Sequence, residues 1–137
     1  MIHIRYTNDA IHNEEGPNIF MFGDKQDWKN FLIEINHFLN KEYDSIEFTN
    51  PNYDIKGSNK LILERDNYNT PSISAGLETL HIVFTSDMWE HFRKKVKALS
   101  SDYCFDHIEF DDMTIREDAN FIVESSPLAE EWAKMSP

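Results

Sequence analysis

Residues 27–40 read DWKNFLIEINHFLN, and the architecture of the whole chain can be worked out from them. Apolar side chains recur at the three- and four-residue spacing of an amphipathic helix. The members of this stripe are Trp28, Phe31, Leu32, Ile35 and Leu39. Asp24 precedes the stretch and is available as an N-cap. We therefore predict a helix here that buries one face.

A second stretch repeats this design about 60–62 residues later. Trp89-x-x-Phe92 matches Trp28-x-x-Phe31, and the apolar stripe continues through Val96 and Leu99. Thr85 or Ser86 precedes the stretch as a candidate N-cap. The sequence predicts a second amphipathic helix of the same kind.

The segments around the two helices also match one another. Residues 44–48 fall on 106–110, residues 61–64 fall on 121–124, and residues 19–22 fall on 81–84, so that Ile19 corresponds to His81. Four matched blocks in the same order indicate an internal repeat, over about 18–65 and 79–125.

The blocks predict an α+β (α/β) fold made of two tandem βαββ repeats. Short β-branched or aromatic segments predict strands at residues 18–22, 45–49, 60–65, 79–85, 105–110 and 120–125, with an N-terminal strand at 1–7. Ser126-Pro127 begins a short C-terminal helix. We expect a mixed or antiparallel sheet with the two main helices packed on one face, although two edge-joined sheets are also compatible with the pattern.

The segment between the repeats, residues 66–74, has turn chemistry but is short for an independent linker. We therefore predict a single domain over residues 1–137. The only cysteine, Cys104, cannot form an intramolecular disulfide, and we expect it to be a small buried thiol. With no signal peptide or long apolar run in the sequence, we expect a cytoplasmic protein.

The charge of the chain is strongly negative. Its 25 acidic and 13 basic side chains give a formal net charge of −12. Such a surface repels nucleic acid and anionic lipid, and it attracts a basic protein partner over long distances. We predict a protein partner and no direct contact with nucleic acid or membrane.

Eight carboxylates are the predicted partner-binding residues. They are Asp44, Glu47, Asp106, Glu109, Asp111, Asp112, Glu117 and Asp118. Six of them lie in the acidic stretch 102–118, and if the two repeats are adjacent in the sheet, the others join it in a shared acidic surface. Tyr43, Tyr53 and Tyr103 are candidate contact aromatics beside it. An ordinary solvated surface is the alternative interpretation of each of these acids.

The motifs of common enzyme sites are missing from the sequence. Its four glycines are isolated, so there is no phosphate-binding loop, and the six histidines do not fall into a metal-binding motif. We therefore predict a binding protein with no catalytic residues, no cofactor and no metal, rather than an enzyme.

Two tandem modules of this kind resemble the vicinal oxygen chelate family, which includes glyoxalases and bleomycin-resistance proteins. That resemblance would imply a metal-dependent small enzyme or ligand-binding protein with His3, Glu64, His81 and Glu124 as metal ligands. The internal alignment disfavours it, because His81 corresponds to Ile19 and not to His3.

The chain has four general features: small size, strong acidity, a compact α/β pattern rich in Trp and Phe, and no catalytic motif. In these respects it resembles the immunity proteins of bacterial polymorphic toxin systems, in particular those of contact-dependent growth inhibition. The resemblance implies a cytoplasmic protein that binds and neutralises a cognate toxin domain, often a nuclease. An adaptor domain whose partner is not a toxin would have a similar sequence.

Overall fold

A computed structural model describes residues 1–40, 43–109 and 116–135 of the chain. The first half contains β1 (His3–Thr7), β2 (Asn18–Gly23), α1 (Lys25–Asn40), β3 (Ser45–Thr49), β4 (Asp54–Lys56) and β5 (Lys60–Arg65). The second half contains β6 (Ser72–Ala75), β7 (Leu80–Phe84), α2 (Ser86–Leu99), β8 (Phe105–His107), β9 (Arg116–Glu117) and β10 (Asn120–Ser125), followed by α3 (Ala129–Met135).

Both main helices begin at a predicted cap. The carboxylate of Asp24 accepts a hydrogen bond from the backbone N–H of Asp27 at 2.8 Å, at the start of α1. The hydroxyl of Thr85 accepts one from the backbone N–H of Met88 at 3.3 Å, at the start of α2. Each cap satisfies a backbone donor that has no partner within the first helical turn.

The strands form two mixed sheets of five strands each. Sheet 1 has the order β4-β1-β2-β10-β8, and sheet 2 has the order β3-β5-β7-β6-β9. The central pairs, β2 with β10 and β5 with β7, are parallel and join strands from opposite halves of the chain. The strands β1 to β5 correspond in order to the strands β6 to β10. With this correspondence the strand order of sheet 1 becomes the order of sheet 2 read from its β9 edge. This order supports the predicted repeat and means that the halves interleave.

The α+β class is confirmed, but there are two sheets where one mixed or antiparallel sheet was predicted. Each half contributes strands to both sheets, so neither sheet contains a complete βαββ unit. The strands β4, β6 and β9 were missed, because they are only two to four residues long and lie in polar segments. Strand β8 ends at His107, before the predicted end at residue 110, which lies outside the described residues.

The register of the sheets corrects the predicted internal alignment in two places. Ile62 and Ile122 are equivalent residues of the two halves. Ile122 lies opposite Phe20 and Ile62 lies opposite His81, so the counterpart of His81 is Phe20 and not Ile19. By the same comparison Glu47 corresponds to His107, where the sequence alignment matched it with Glu109. Alternating apolar and polar residues look alike when they are displaced by one or two positions, and hydrogen-bond pairing removes that ambiguity.

One continuous core contains the inner faces of both sheets and the apolar faces of α1 and α2. Trp28 and Trp89, one from each helix, are fully buried at its centre. A second, smaller apolar cluster covers the outer face of sheet 1, where Ala129 and Ala133 of α3 pack on Phe20 and Phe22. Helix α3 is therefore docked on the sheet. None of the described helices is long and apolar enough to cross a membrane.

Candidate functional site

An acidic groove lies between α2 and β8, and we call it the α2–β8 groove. Its cavity measures about 700 Å³. The innermost lining is apolar and consists of Phe84, Met88, Phe92 and Ile108, whereas the walls carry the ionisable side chains Asp87, His91, Lys95, Asp106, His107 and Glu109. The groove therefore combines an apolar floor with polar, charged walls.

The helical wall of the groove follows from the period of α2. Asp87, His91 and Lys95 recur at four-residue intervals, which places them along one side of the helix. Trp89 and Phe92 are buried in the core and hold this side toward the groove. Asp87 is exposed in the first turn, where the helix dipole favours a negative charge.

The opposite wall is built by the edge strand β8. Asp106 lies opposite Val123 of β10, and its carboxylate forms an ion pair with Lys95 across the groove. Glu109 follows the strand and is exposed. Among the described residues that line the groove, three carboxylates therefore face a single lysine, and the groove keeps a negative charge.

The thiol of Cys104 reports the same negative environment. Partial burial raises its pKa, and the negative charges of Asp102, Asp106 and Glu124 raise it further. Cys104 as a residue is exposed, so the prediction of a buried thiol is wrong. A raised pKa disfavours the thiolate, which is the form that a cysteine nucleophile requires.

Two aromatic side chains lie exposed at the β8 end of the site. Tyr103 is 49% exposed and Phe105 is 53% exposed. The ring of Phe105 stacks on His12 with 3.8 Å between the ring centroids, and the ammonium of Lys25 lies 4.4 Å from the ring centroid of Tyr103. These contacts hold the two rings in place at the surface. Neither ring lines the groove. Phe105 precedes Asp106 on β8, so its ring lies on the opposite face of sheet 1 from that carboxylate.

The other candidate aromatics differ from one another. Tyr43 is exposed, as a contact residue would be. Tyr53 instead packs on Phe31 and Phe48 at the edge of the core, with ring centroids 6.5 and 4.7 Å away. Its role is structural because its ring is occupied by these contacts.

The predicted acidic residues do not come together in one sheet. Asp106 and Glu109 lie at the β8 edge of sheet 1, whereas Asp44 and Glu47 lie at the β3 edge of sheet 2. Glu47 pairs there with Lys60 at 3.2 Å. A shared acidic surface requires the two repeats to place these strands side by side. They do not, because β3 and β8 lie in different sheets.

The remaining predicted acids lie elsewhere. Glu117 belongs to β9, at the edge of sheet 2 opposite β3. Asp118 follows it, and hydrogen bonds from Arg116 and from the backbone N–H of Ala75 lower its pKa. Asp111 and Asp112 lie outside the described residues.

The four metal ligands implied by the vicinal oxygen chelate resemblance are divided between the sheets. His81 lies 3.2 Å from Glu64 in sheet 2. His3 contacts Asp54 and Glu130, and Glu124 contacts His12, on sheet 1. No group of three or more His, Cys, Asp or Glu in the described parts of the chain is arranged to hold a metal ion.

Sequence reasoning missed the helical half of the groove. Asp87, His91 and Lys95 were not among the predicted site residues, although their four-residue spacing was visible in the sequence. The spacing shows that they share one side of α2, but it does not show that this side faces β8.

Comparison with known proteins gave no match to a family model, to a curated protein or to a solved structure.

Proposed function

We propose that this protein neutralises a toxin by binding a basic toxin domain, a nuclease, through the α2–β8 groove and the acidic surface around it. The observation that carries the proposal is the groove itself, in which three carboxylates surround an apolar floor on a chain with a net charge of −12. In this proposal the chain is a cytoplasmic immunity protein that acts without catalysis.

Long-range attraction is the first step of the proposed mechanism. A nuclease needs a cationic cleft to hold the phosphates of its substrate, and a strongly acidic protein is attracted to that cleft. Attraction between opposite charges raises the association rate and disfavours partners of the wrong charge. The same negative charge repels nucleic acid, so the nuclease substrate does not bind to this protein.

Short-range contacts in the groove supply the second step. Lysine and arginine have aliphatic stems that pack on apolar surface while their charged ends remain with carboxylates. The half-buried Met88 offers such a surface above the buried Phe92 and Ile108, and Asp87 and Glu109 lie on the two walls of the groove. Outside the groove, Tyr103 and Phe105 expose rings of the kind that anchor protein interfaces.

The proposal expects the gene for this protein to lie beside a gene that encodes a large toxin. The experiment mixes the full chain with the basic C-terminal domain of that toxin. We expect stoichiometric inhibition of the nuclease activity and a dissociation constant that rises with ionic strength. Reversing the charge at the groove with Asp87→Lys and Glu109→Lys should weaken binding at least about tenfold, or about 1.4 kcal/mol.

A matched control keeps the change in net charge the same. Glu78 and Glu131 are exposed and lie outside the groove, so Glu78→Lys with Glu131→Lys should weaken binding much less. Equal losses in the two double variants would reject the groove as the binding site. If no toxin gene lies beside this one, or the toxin domain stays active in the mixture, the proposed function is wrong. Tight binding to a non-toxin protein would then favour an adaptor.

A further inference from the structure

His3 lies on the outer face of sheet 1 and contacts a carboxylate at each of its two ring nitrogens. Its Nδ1 is 2.8 Å from Oδ2 of Asp54 on β4, and its Nε2 is 3.0 Å from Oε1 of Glu130 on α3. The side chain of His3 is only 4% exposed, so water does not readily replace either partner. His3 therefore joins strand β1, the edge strand β4 and the C-terminal helix at one place.

The number of protons on His3 decides how many of these two contacts are hydrogen bonds. An ionised carboxylate only accepts hydrogen bonds, and a neutral imidazole has a single N–H to donate. Both carboxylates are bonded at once only by an imidazolium, which donates from both nitrogens. With one proton fewer, one nitrogen presents a lone pair to a carboxylate oxygen, and that contact becomes repulsive. The arrangement thus fits the doubly protonated ring of His3.

Several other ionisable groups share this face of sheet 1 with His3. Those on β1, β4, β10, α3 and the loop of residues 8–17 are Arg5, His12, Asp54, Lys56, Glu124 and Glu130. Glu124 is paired with His12, and strand β2 with Phe22 lies between this pair and His3. The ring of Phe22 stacks on His3 with 5.1 Å between the ring centroids. Asp54 and Glu130 are therefore the carboxylates that respond directly to the charge of His3.

Asp54 is the carboxylate that keeps its hydrogen bond when His3 loses a proton. Arg5 donates to the same Oδ2 of Asp54 at 2.7 Å and holds that carboxylate in place. The side chain of Asp54 is 26% exposed, whereas that of Glu130 is 61% exposed and can turn into water. The remaining proton therefore stays on Nδ1, and α3 loses its contact with His3.

Helix α3 has few other contacts that hold it on the sheet. It is seven residues long, and a helix of this length is not stable without tertiary contacts. Ala129 and Ala133 pack on Phe20 and Phe22. Because these alanines bury little surface, the contact of Glu130 in the first turn contributes appreciably to docking.

We propose that His3 is a pH-dependent latch for helix α3. While His3 carries two protons, it binds Asp54 and Glu130 together and α3 stays docked on sheet 1. When the pH rises and the proton leaves Nε2, Glu130 turns toward solvent and α3 opens more often. Each opening uncovers Phe20 and Phe22 beneath the helix. The latch is separate from the α2–β8 groove and does not depend on the proposed function.

The test follows amide hydrogen exchange in the full chain between about pH 5 and about pH 9, which spans the range in which histidine ordinarily changes charge. The backbone N–H of Trp132 donates to the backbone oxygen of Leu128 at 3.0 Å and exchanges when α3 opens. Its protection, corrected for the intrinsic effect of pH on exchange, should fall about fivefold as His3 loses its proton. The backbone N–H of Trp89 donates to the backbone oxygen of Thr85 at 3.0 Å and, as the internal reference, should keep its protection.

NMR signals of the His3 ring carbons give the pH at which the ring loses its proton. The midpoint of the change in Trp132 protection should coincide with that pH. A different midpoint, or a Trp132 protection that does not change with pH in the unaltered chain, would overturn the proposal.

Two matched glutamate variants locate the latch. A glutamine side chain accepts from an imidazolium through its amide oxygen and donates to a neutral imidazole through its amide nitrogen. Glu130→Gln should therefore keep α3 docked and remove the pH dependence of Trp132 protection. Glu131→Gln makes the same change in charge at the exposed neighbouring position and should retain the fall of about fivefold. A fall that persists in Glu130→Gln would also overturn the proposal, and the unaltered chain decides the matter even if a variant does not fold.

Discussion

The indole Nε1 of Trp28 donates a hydrogen bond to the backbone oxygen of Glu124 at 2.8 Å. Trp89 makes the same bond to Glu64 at 2.9 Å. In each case a helix of one half is bound to a strand of the other half, β10 or β5. The two bonds hold the interleaved halves together at equivalent places.

Removing either indole donor should therefore destabilise the whole fold. Trp28→Phe and Trp89→Phe each leave a carbonyl without its partner, and we expect each to lower the free energy of unfolding by about 1–3 kcal/mol. Chemical denaturation followed by circular dichroism measures this loss. Trp132 is half-buried on α3, outside the main core, so Trp132→Phe serves as the control and should cost less. Losses of the same size in all three variants would contradict the stabilising role of the two hydrogen bonds, and clearly unequal losses at Trp28 and Trp89 would contradict their equivalence.

Gly57 occupies a position that no other residue fits well. Its φ is +86°, and a Cβ built there would overlap the backbone oxygen of Tyr6. We expect Gly57→Ala to lower the free energy of unfolding by about 1–3 kcal/mol, because backbone strain and overlap both act against it. Gly76→Ala is the matched control, since a Cβ at Gly76 has nothing within 4 Å. Thermal unfolding should show a lower Tm for the first variant only.

Asp54 links strand β4 to strand β1 through charge. Burial acts to raise its pKa, but hydrogen bonds from Arg5 and His3 outweigh burial and hold the pKa below the ordinary value of 3.8. A carboxylate whose pKa is lowered by folding stabilises the fold above its ordinary pKa, and that contribution is lost as the pH falls through the folded-state value.

Asp54→Asn should accordingly lower the free energy of unfolding by about 1–3 kcal/mol near neutral pH, where Arg5 loses a charged partner. The difference from the unaltered protein should narrow as the pH falls below about 4. Urea denaturation between about pH 5 and about pH 2 measures it. The exposed Asp44 provides the control, and Asp44→Asn should show little effect at any pH. A difference for Asp54→Asn that does not depend on pH would contradict the charge linkage.

Tyr53 should ionise late in an alkaline titration. Burial, and after it the negative charge of Glu34, raises the pKa of Tyr53 from 10.0 to about 12. A phase of the tyrosinate absorbance near pH 12 should disappear in Tyr53→Phe and persist in Tyr68→Phe, because Tyr68 is 86% exposed. Since folding raises this pKa, its stabilising contribution is present below pH 10.0 and is lost as the pH rises toward 12. A late phase that survives Tyr53→Phe would refute the assignment.

Local patterns were enough to predict the helices and most of the strands of this fold. The apolar stripe around Trp28 and its repeat around Trp89 gave both main helices, and the N-caps Asp24 and Thr85 gave their starts. Strands such as β5 and β10 were predicted at their observed bounds. Helix periodicity, capping and β-branched segments are properties of neighbouring residues, and for that reason they are legible in a single sequence.

The pairing of strands between the two halves could not be predicted from local sequence patterns. Whether β10 joins β2 or β5 depends on contacts between residues more than 50 positions apart, and residues with the same alternation suit either partner. The predicted acidic surface was divided for this reason, because β3 and β8 lie in different sheets.

The α2–β8 groove and the contacts of His3 depend on the same long-range pairing. Asp87 meets Asp106 across a groove, and His3 meets Glu130, only because packing brings separate elements together. The amino-acid sequence thus specified the helices, most of the strands and the negative charge through short-range chemistry. The interleaving of the halves, and with it the position of the groove and of His3, arose from the burial of one shared core, which is a property of the whole chain.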